Sequence, residues 1–92
     1  MELYYFTSTT CKACHSFEPI VKDLCNKFNL KFKHLDIMDN VKEVCMYGVL
    51  SLPTTIILDS TGERKRFIGK TSELQKWLSE NLDPLARSHC PT

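Results

Sequence analysis

Between Phe17 and Phe28 the apolar residues Phe17, Ile20, Val21, Leu24, Cys25 and Phe28 recur at i, i+3, i+4, i+7, i+8 and i+11. Residues three and four apart share one face of an α-helix, so this spacing builds an apolar stripe. Lys12, Asp23, Asn26 and Lys27 fall on the other face, and the pattern predicts a helix from Cys11 to about Asn29. Pro19 lies inside it. A proline there removes a backbone hydrogen bond and crowds residue 15, so a kink is expected. Ahead of the helix, ELYYFT (residues 2–7) is rich in aromatics and apolar almost throughout, which reads as a central strand. The polar STT that follows forms a turn able to cap the helix.

Beyond the helix, KFKHLDI (31–37) alternates imperfectly between apolar and polar and reads as a strand. Residues 39–47 form a short helix with Val41, Val44 and Cys45 inward, and Gly48 ends it. TTIILD (54–59) is a strand by its β-branched residues, Ser60-Thr61-Gly62 is a tight turn, and 63–69 return as a second strand. Thr71 or Ser72 caps a last helix with Leu74, Trp77, Leu78 and Leu82 as its apolar stripe, and Pro84 stops it. The order is β-α-β-α-β-β-α. Strands joined through a helix run parallel, and the hairpin adds antiparallel strands. The expected fold class is therefore α/β: a four-stranded mixed sheet with helices on both faces. One domain spans 1–83, and 84–92 form a C-terminal tail.

Ninety-two residues bound the chain to one small domain. With 12 basic and 11 acidic side chains the net charge is +1, which offers no electrostatic footing for nucleic acid or an acidic membrane surface. No apolar run approaches the roughly 18 residues needed to span a bilayer. The N-terminus lacks a basic n-region and a small-residue cleavage site, so no signal peptide is expected. Five cysteines is an odd number, unlike a disulfide-stapled secreted domain, and a reducing, cytoplasmic setting is expected.

The stretch with most chemistry is TTCKACHSFEP (9–19). Cys11, Cys14 and His15 spell C-x-x-C-H, which reads as c-type haem attachment, as half of a zinc site, or as a thiol–disulfide exchange pair. Haem attachment needs an axial partner opposite His15, for which Met38 or Met46 would serve with nothing to mark either, and it normally needs export, for which no signal is expected. Zinc needs two further ligands in ordered spacing, and Cys25, Cys45, His34, His89 and Cys90 supply neither a second C-x-x-C nor H-x3-H. Redox exchange leads because of position. A cysteine at a helix N-terminus faces unpaired N–H groups and the positive end of the helix dipole, and both favour thiolate. Lowering a thiol from about 8.5 to about 7 raises its thiolate fraction at neutral pH roughly tenfold. Lys12 adds a nearby positive charge. At about 100° per residue, Cys14 lies about 60° from the centre of the apolar stripe and Cys11 about 120°. Cys11 should thus be exposed and attack, and Cys14 should be shielded and resolve.

With these motifs placed, residues 2–82 resemble the thioredoxin family. The C-x-x-C pair opens a helix after the first strand, Pro19 follows Cys14 by five residues, and YGVLSLPTTIILDSTGERKRFIGKTSELQKWLSENL matches the family's C-terminal half in register. The resemblance implies a thioredoxin fold, a minimal one lacking the usual extra N-terminal strand and helix. It implies a cis Pro53 facing the two sulfurs, with the Leu52 backbone offered to an extended substrate segment as an added strand is. In the family this proline is thought to keep metals from the pair. Thr10, Lys12 and Ala13 shape the site. Three residues depart from the pattern: Thr10 replaces a tryptophan, Tyr5 a buried aspartate, and His34 the lysine that partners it. Slower resolution by Cys14 is expected from the last two changes. Glu18, one turn after Cys14, and His34 are the remaining candidates for proton transfer. Plainer alternatives stand beside them: Glu18, His34 and His15 as solvated side chains, and Tyr5 as core with a hydroxyl that reaches Cys14 or His34. Cys25 and Cys45 read as buried small hydrophobes. Cys90 reads as an incidental exposed thiol.

The implied activity is that of a disulfide oxidoreductase that reduces protein disulfides. It needs no cofactor beyond its own Cys11–Cys14 pair and holds no metal. Its partners are disulfide-containing proteins and a reductase-like electron donor, and the chain itself is a monomer. The sequence leaves open an oxidant or isomerase, since Lys12-Ala13 matches neither pattern of dipeptide, and a binding module with idle or metal-holding cysteines.

Overall fold

The computed structural model describes residues 1–82. It contains β1 (Glu2–Thr7), α1 (Lys12–Phe28), β2 (Lys31–Asp36), α2 (Val41–Tyr47), β3 (Thr54–Asp59), β4 (Gly62–Ile68) and α3 (Glu73–Leu82). The order is the expected one, and every end up to the start of α3 falls within two residues of its predicted place. The strands form one sheet in the order β2-β1-β3-β4. β1 runs parallel to β2 and antiparallel to β3, and β4 is antiparallel to β3.

The sheet is buried on both faces, which is why β1 and β3 lack polar alternation. On one face α1 and α3 pack Phe17, Val21, Leu24, Leu74 and Leu78 against Leu3, Tyr5, Ile57 and Phe67. On the other, α2 and the loop after it bring Val44, Tyr47, Val49 and Leu52 onto Phe6, Leu35, Ile56 and Leu58. Burial of each large side chain stabilises the fold by about 1.5–3 kcal/mol before entropy is counted.

Local chemistry sets the element ends. Asn29 closes α1 in the left-handed conformation (φ 58°), and its backbone N–H donates to Cys25 O. Leu30 N–H reaches the same carbonyl at 2.8 Å. Gly48 closes α2 at φ 61°. The Thr71 hydroxyl accepts from Glu73 N–H at 3.1 Å, capping α3. α1 continues through Pro19 as one helix.

Three inward assignments are corrected. In α2, Val41 is 60% exposed and Cys45 is exposed. The inward face belongs to Val44 and Tyr47. The Tyr47 ring packs edge-on against Tyr4 at 5.8 Å and lies 6.3 Å from Phe6. Seating that large ring turns the seven-residue helix so that Val41 and Cys45 point outward. In α1, Ile20 sits at the stripe's edge and is 44% exposed. The predicted stop at Pro84, the tail, His89 and Cys90 lie outside the described residues, as does the side chain of Leu82.

Candidate active site

β1 ends at Thr7, a turn follows, and Cys11 sits at the N-cap of α1 with extended backbone (φ −88°, ψ 106°). Its N–H is held by Ser8 O at 3.1 Å. Ser, Thr, Asp and Asn normally fill this position because a side-chain acceptor meets an orphan N–H of the first turn. Here the acceptor is sulfur: Cys14 N–H donates to Cys11 Sγ at 3.2 Å. The two cysteines are joined as a disulfide with Cα atoms 5.2 Å apart. Cys11 is half-buried, whereas Cys14 is fully buried beneath it. Cys14 is shielded as expected, whereas Cys11, expected to be exposed, is only half-buried, because it stands at the extended N-cap ahead of the helix and not on the helix surface.

The Leu52–Pro53 peptide is cis. Phe6 pairs with Thr54, so Pro53 stands beside the carboxyl end of β1, where the Cys11 loop departs. Gly69 N–H donates to Pro53 O at 2.7 Å, and the Thr54 hydroxyl donates to Ser51 O at 2.6 Å, fixing this loop from both sides. Pro53 is buried and Leu52 half-buried. Thr10, Lys12 and Ala13 are exposed around Cys11. The Thr10 and Ser8 hydroxyls lie 3.1 Å apart. Lys70 Nζ donates to Ser16 Oγ at 3.3 Å, tying the loop before α3 to the first turns of α1.

Beneath the pair, Tyr5 is fully buried and its hydroxyl donates to Cys14 O at 2.6 Å. Burial, with the Glu18 charge adding to it, pushes the phenol up to about 12. His34 pairs with Tyr5 across β1 and β2, and its Nε2 lies 3.3 Å from Glu18 Oε1. Glu18 Oε2 also meets Lys22 Nζ at 3.2 Å. Glu18 is the more enclosed of the two candidates, with a side chain 24% exposed against 46% for His34. His34 therefore stands at the rim of the site, joined to it through Glu18.

His15 is exposed, and its Nε2 lies 2.9 Å from Thr9 O. Met46 is on α2, across the sheet from α1, and Met38 is 79% exposed. Among the described residues no cluster of three or more His, Cys, Asp or Glu is placed to hold a metal ion. Cys25 is buried in the α1 face of the core, and desolvation pushes its thiol up to about 11. Sequence pattern does not single out Thr55, whose buried hydroxyl sits across from Tyr5 and has no hydrogen-bond partner among the described residues. The β-branched run TTIILD conceals it, because a strand pattern does not distinguish a packed Thr from a polar one.

A linked cysteine pair at the N-terminus of a helix that leaves a central strand, with a cis proline just ahead of the neighbouring strand, is the arrangement of a thioredoxin fold. Comparison with known proteins agrees. The thioredoxin family model matches residues 2–80. Thioredoxin H2 of Arabidopsis thaliana is 32% identical over 78 residues, covering 82% of this chain and 58% of that protein. The chain therefore spans little more than half of that relative's length. The SPbeta prophage-derived thioredoxin-like protein YosR of Bacillus subtilis (strain 168) is 28% identical over 82 residues, covering 87% of this chain and 98% of that protein. Among solved structures, thioredoxin 1 from Thermosipho africanus TCF52B superposes with a TM-score of 0.80 at 26% identity, covering 98% of this chain and all of that one. The chain belongs to the thioredoxin family.

Proposed function

We propose that the protein is a thiol–disulfide oxidoreductase that reduces protein disulfides through Cys11 and Cys14. The observation that carries this reading is the Cys14 N–H aimed at the Sγ of a half-buried Cys11, with Cys14 itself fully buried. An N–H donor and the helix dipole both stabilise a sulfur anion, so the reduced Cys11 is primed as a thiolate.

In the reduced protein the Cys11 thiolate attacks one sulfur of a substrate disulfide, and the other substrate sulfur leaves as a thiolate. Cys14 then attacks Cys11 Sγ, the mixed disulfide breaks, and the second substrate sulfur leaves. Two electrons pass to the substrate and the Cys11–Cys14 disulfide forms. An external dithiol, supplied by a reductase-like partner, must restore the pair, because the described residues form no nucleotide-binding fold. The buried Pro53 and the Leu52 backbone form the edge on which an extended substrate segment rests. We place this reductant in the cytoplasm as a monomer that works without metal or further cofactor. No described helix is long and apolar enough to cross a membrane.

An equilibrium redox titration with mass mapping of Cys11 and Cys14 tests the reading. A two-electron couple near the thioredoxin value of about −270 mV fits a reductant, and one at about −180 mV or above makes the protein an oxidant or isomerase. Absence of a Cys11–Cys14 couple sinks the enzyme reading and leaves a binding module.

A further inference from the structure

Resolution by Cys14 requires that its proton go somewhere, and Cys14 is fully buried. The group beneath it is the Tyr5 phenol, which donates its hydrogen to Cys14 O at 2.6 Å. A phenol that is itself the donor is not placed to take a proton from the neighbouring thiol. Glu18 lies four residues after Cys14 in α1, so the two side chains share a helix face with Cβ atoms about 5–6 Å apart. Its carboxylate is held from two elements, by Lys22 of α1 at 3.2 Å and His34 of β2 at 3.3 Å. Its charge is felt at the Tyr5 hydroxyl. The charged and titratable groups facing this corner are thus Tyr5 from β1, Glu18 and Lys22 from α1, and His34 from β2.

We propose that Tyr5 is a positioning residue that pins the first turn of α1 through Cys14 O, and that Glu18, oriented by His34 and Lys22, accepts the proton of the resolving thiol. The proposal rests on the dithiol reading above. The step balances. Cys14 Sγ–H gives its proton to a Glu18 oxygen as the sulfur lone pair attacks Cys11 Sγ. The bond from Cys11 to the substrate sulfur breaks with its electron pair on the leaving sulfur. Glu18 then returns the proton to that thiolate or to water. The dithiol is oxidised by two electrons and the substrate disulfide is reduced.

The test is stopped-flow reaction of the reduced protein with a chromophoric aryl disulfide, in a background with Cys45 and Cys90 replaced by Ser. The first aryl thiolate released reports attack by Cys11, and the second reports closure by Cys14. Glu18→Gln is expected to slow the second release about a hundredfold near neutral pH, the lower range for general-base catalysis, and to leave the first unchanged. At about pH 10, where bulk base can strip a thiol directly, the difference should vanish. Tyr5→Phe keeps the ring and loses only the hydroxyl. It is expected to slow the second release about fivefold with no change in the shape of its pH profile. A Glu18→Gln profile that coincides with that of the unsubstituted protein, or lies below it by the same factor at every pH, overturns the proton-acceptor role. An unchanged second release in Tyr5→Phe overturns the positioning role. Failure of the dithiol reading looks different: Cys14→Ser then releases both equivalents, or the unsubstituted protein releases only one.

Discussion

Raising the pH tests two buried groups at once. Tyr5 is pushed from 10.0 up to about 12 by burial with the Glu18 charge adding to it, and Cys25 from 9.0 up to about 11 by desolvation. Both are essentially inaccessible, with 0% and 2% exposure. A raised value means that the folded protein keeps a proton the unfolded chain has released. The associated stability is fully present below the unfolded value and is lost as pH rises through the folded one. For Cys25 the window is pH 9.0 to about 11, and for Tyr5 it is pH 10.0 to about 12. A window about two pH units wide corresponds to about 3 kcal/mol per group when the loss is complete. At about pH 10.5 the loss is partial, about 2 kcal/mol from Cys25 and about 1 kcal/mol from Tyr5. The assay is urea unfolding of the protein followed by Trp77 fluorescence at about pH 8 and at about pH 10.5. With a slope of about 1.5 kcal/mol/M, the midpoint should fall by roughly 2 M. In Tyr5→Phe the fall should shrink by about a third, since only Cys25 remains of the two, although the variant starts lower by about 1 kcal/mol for the lost hydrogen bond. A midpoint that does not move, or a Tyr5→Phe variant that loses as much as the unsubstituted protein, contradicts the raised values assigned to Tyr5 and Cys25.

Further outcomes are expected. Cys14→Ser should trap a mixed disulfide on Cys11 with a disulfide substrate, seen as a covalent adduct by mass spectrometry; turnover by this variant contradicts the assigned roles. Leu78→Ala, at a fully buried position on α3, should cost about 2–5 kcal/mol in denaturant unfolding. Gly48→Ala should cost about 1–2 kcal/mol, because φ is 61° there and the cost is backbone strain, with no atom within 4 Å of the added methyl. The Asp59 carboxyl, held down to about 2 chiefly by hydrogen bonds from Thr61 and Arg64, should remain ionised in an NMR titration well below the usual carboxylate range.

The pattern of apolar positions lays out the seven described elements: helical spacing marks the helices, and continuous apolar or β-branched runs mark β1 and β3, which are buried on both faces. Phe17, Val21, Leu24 and Phe28 could scarcely be anything but one face of a helix. The short α2 shows the limit. Seven residues carry too few apolar positions to fix a rotation, and by pattern Val41 and Cys45 are as inward as Val44. The choice falls to Tyr47, whose ring finds Tyr4 and Phe6 on a strand far away in sequence. Cys45 is exposed for that reason alone. The same periodicity points Ile20 inward, but it lies at the stripe's edge and is partly exposed.

At the site, residue spacing and helix periodicity account for the separation of the two cysteines, their place at a helix start and the burial of Cys14 relative to a half-buried Cys11. These are local properties, fixed by helix geometry. The cis state of Pro53 is an expectation drawn from family resemblance, and the structure has it. What lies under Cys14 depends on how the strands and the helix meet. Tyr5, Glu18 and His34 come from β1, α1 and β2, and nothing in their separate neighbourhoods says that a phenol meets a cysteine carbonyl or that a carboxylate bridges a lysine and a histidine. Those contacts exist because parallel pairing of β1 with β2 sets His34 beside Tyr5, and because the apolar stripe of α1 holds Cys14 and Glu18 down against both. Periodicity fixes which face of an element is buried; the register between elements fixes which polar atoms meet there.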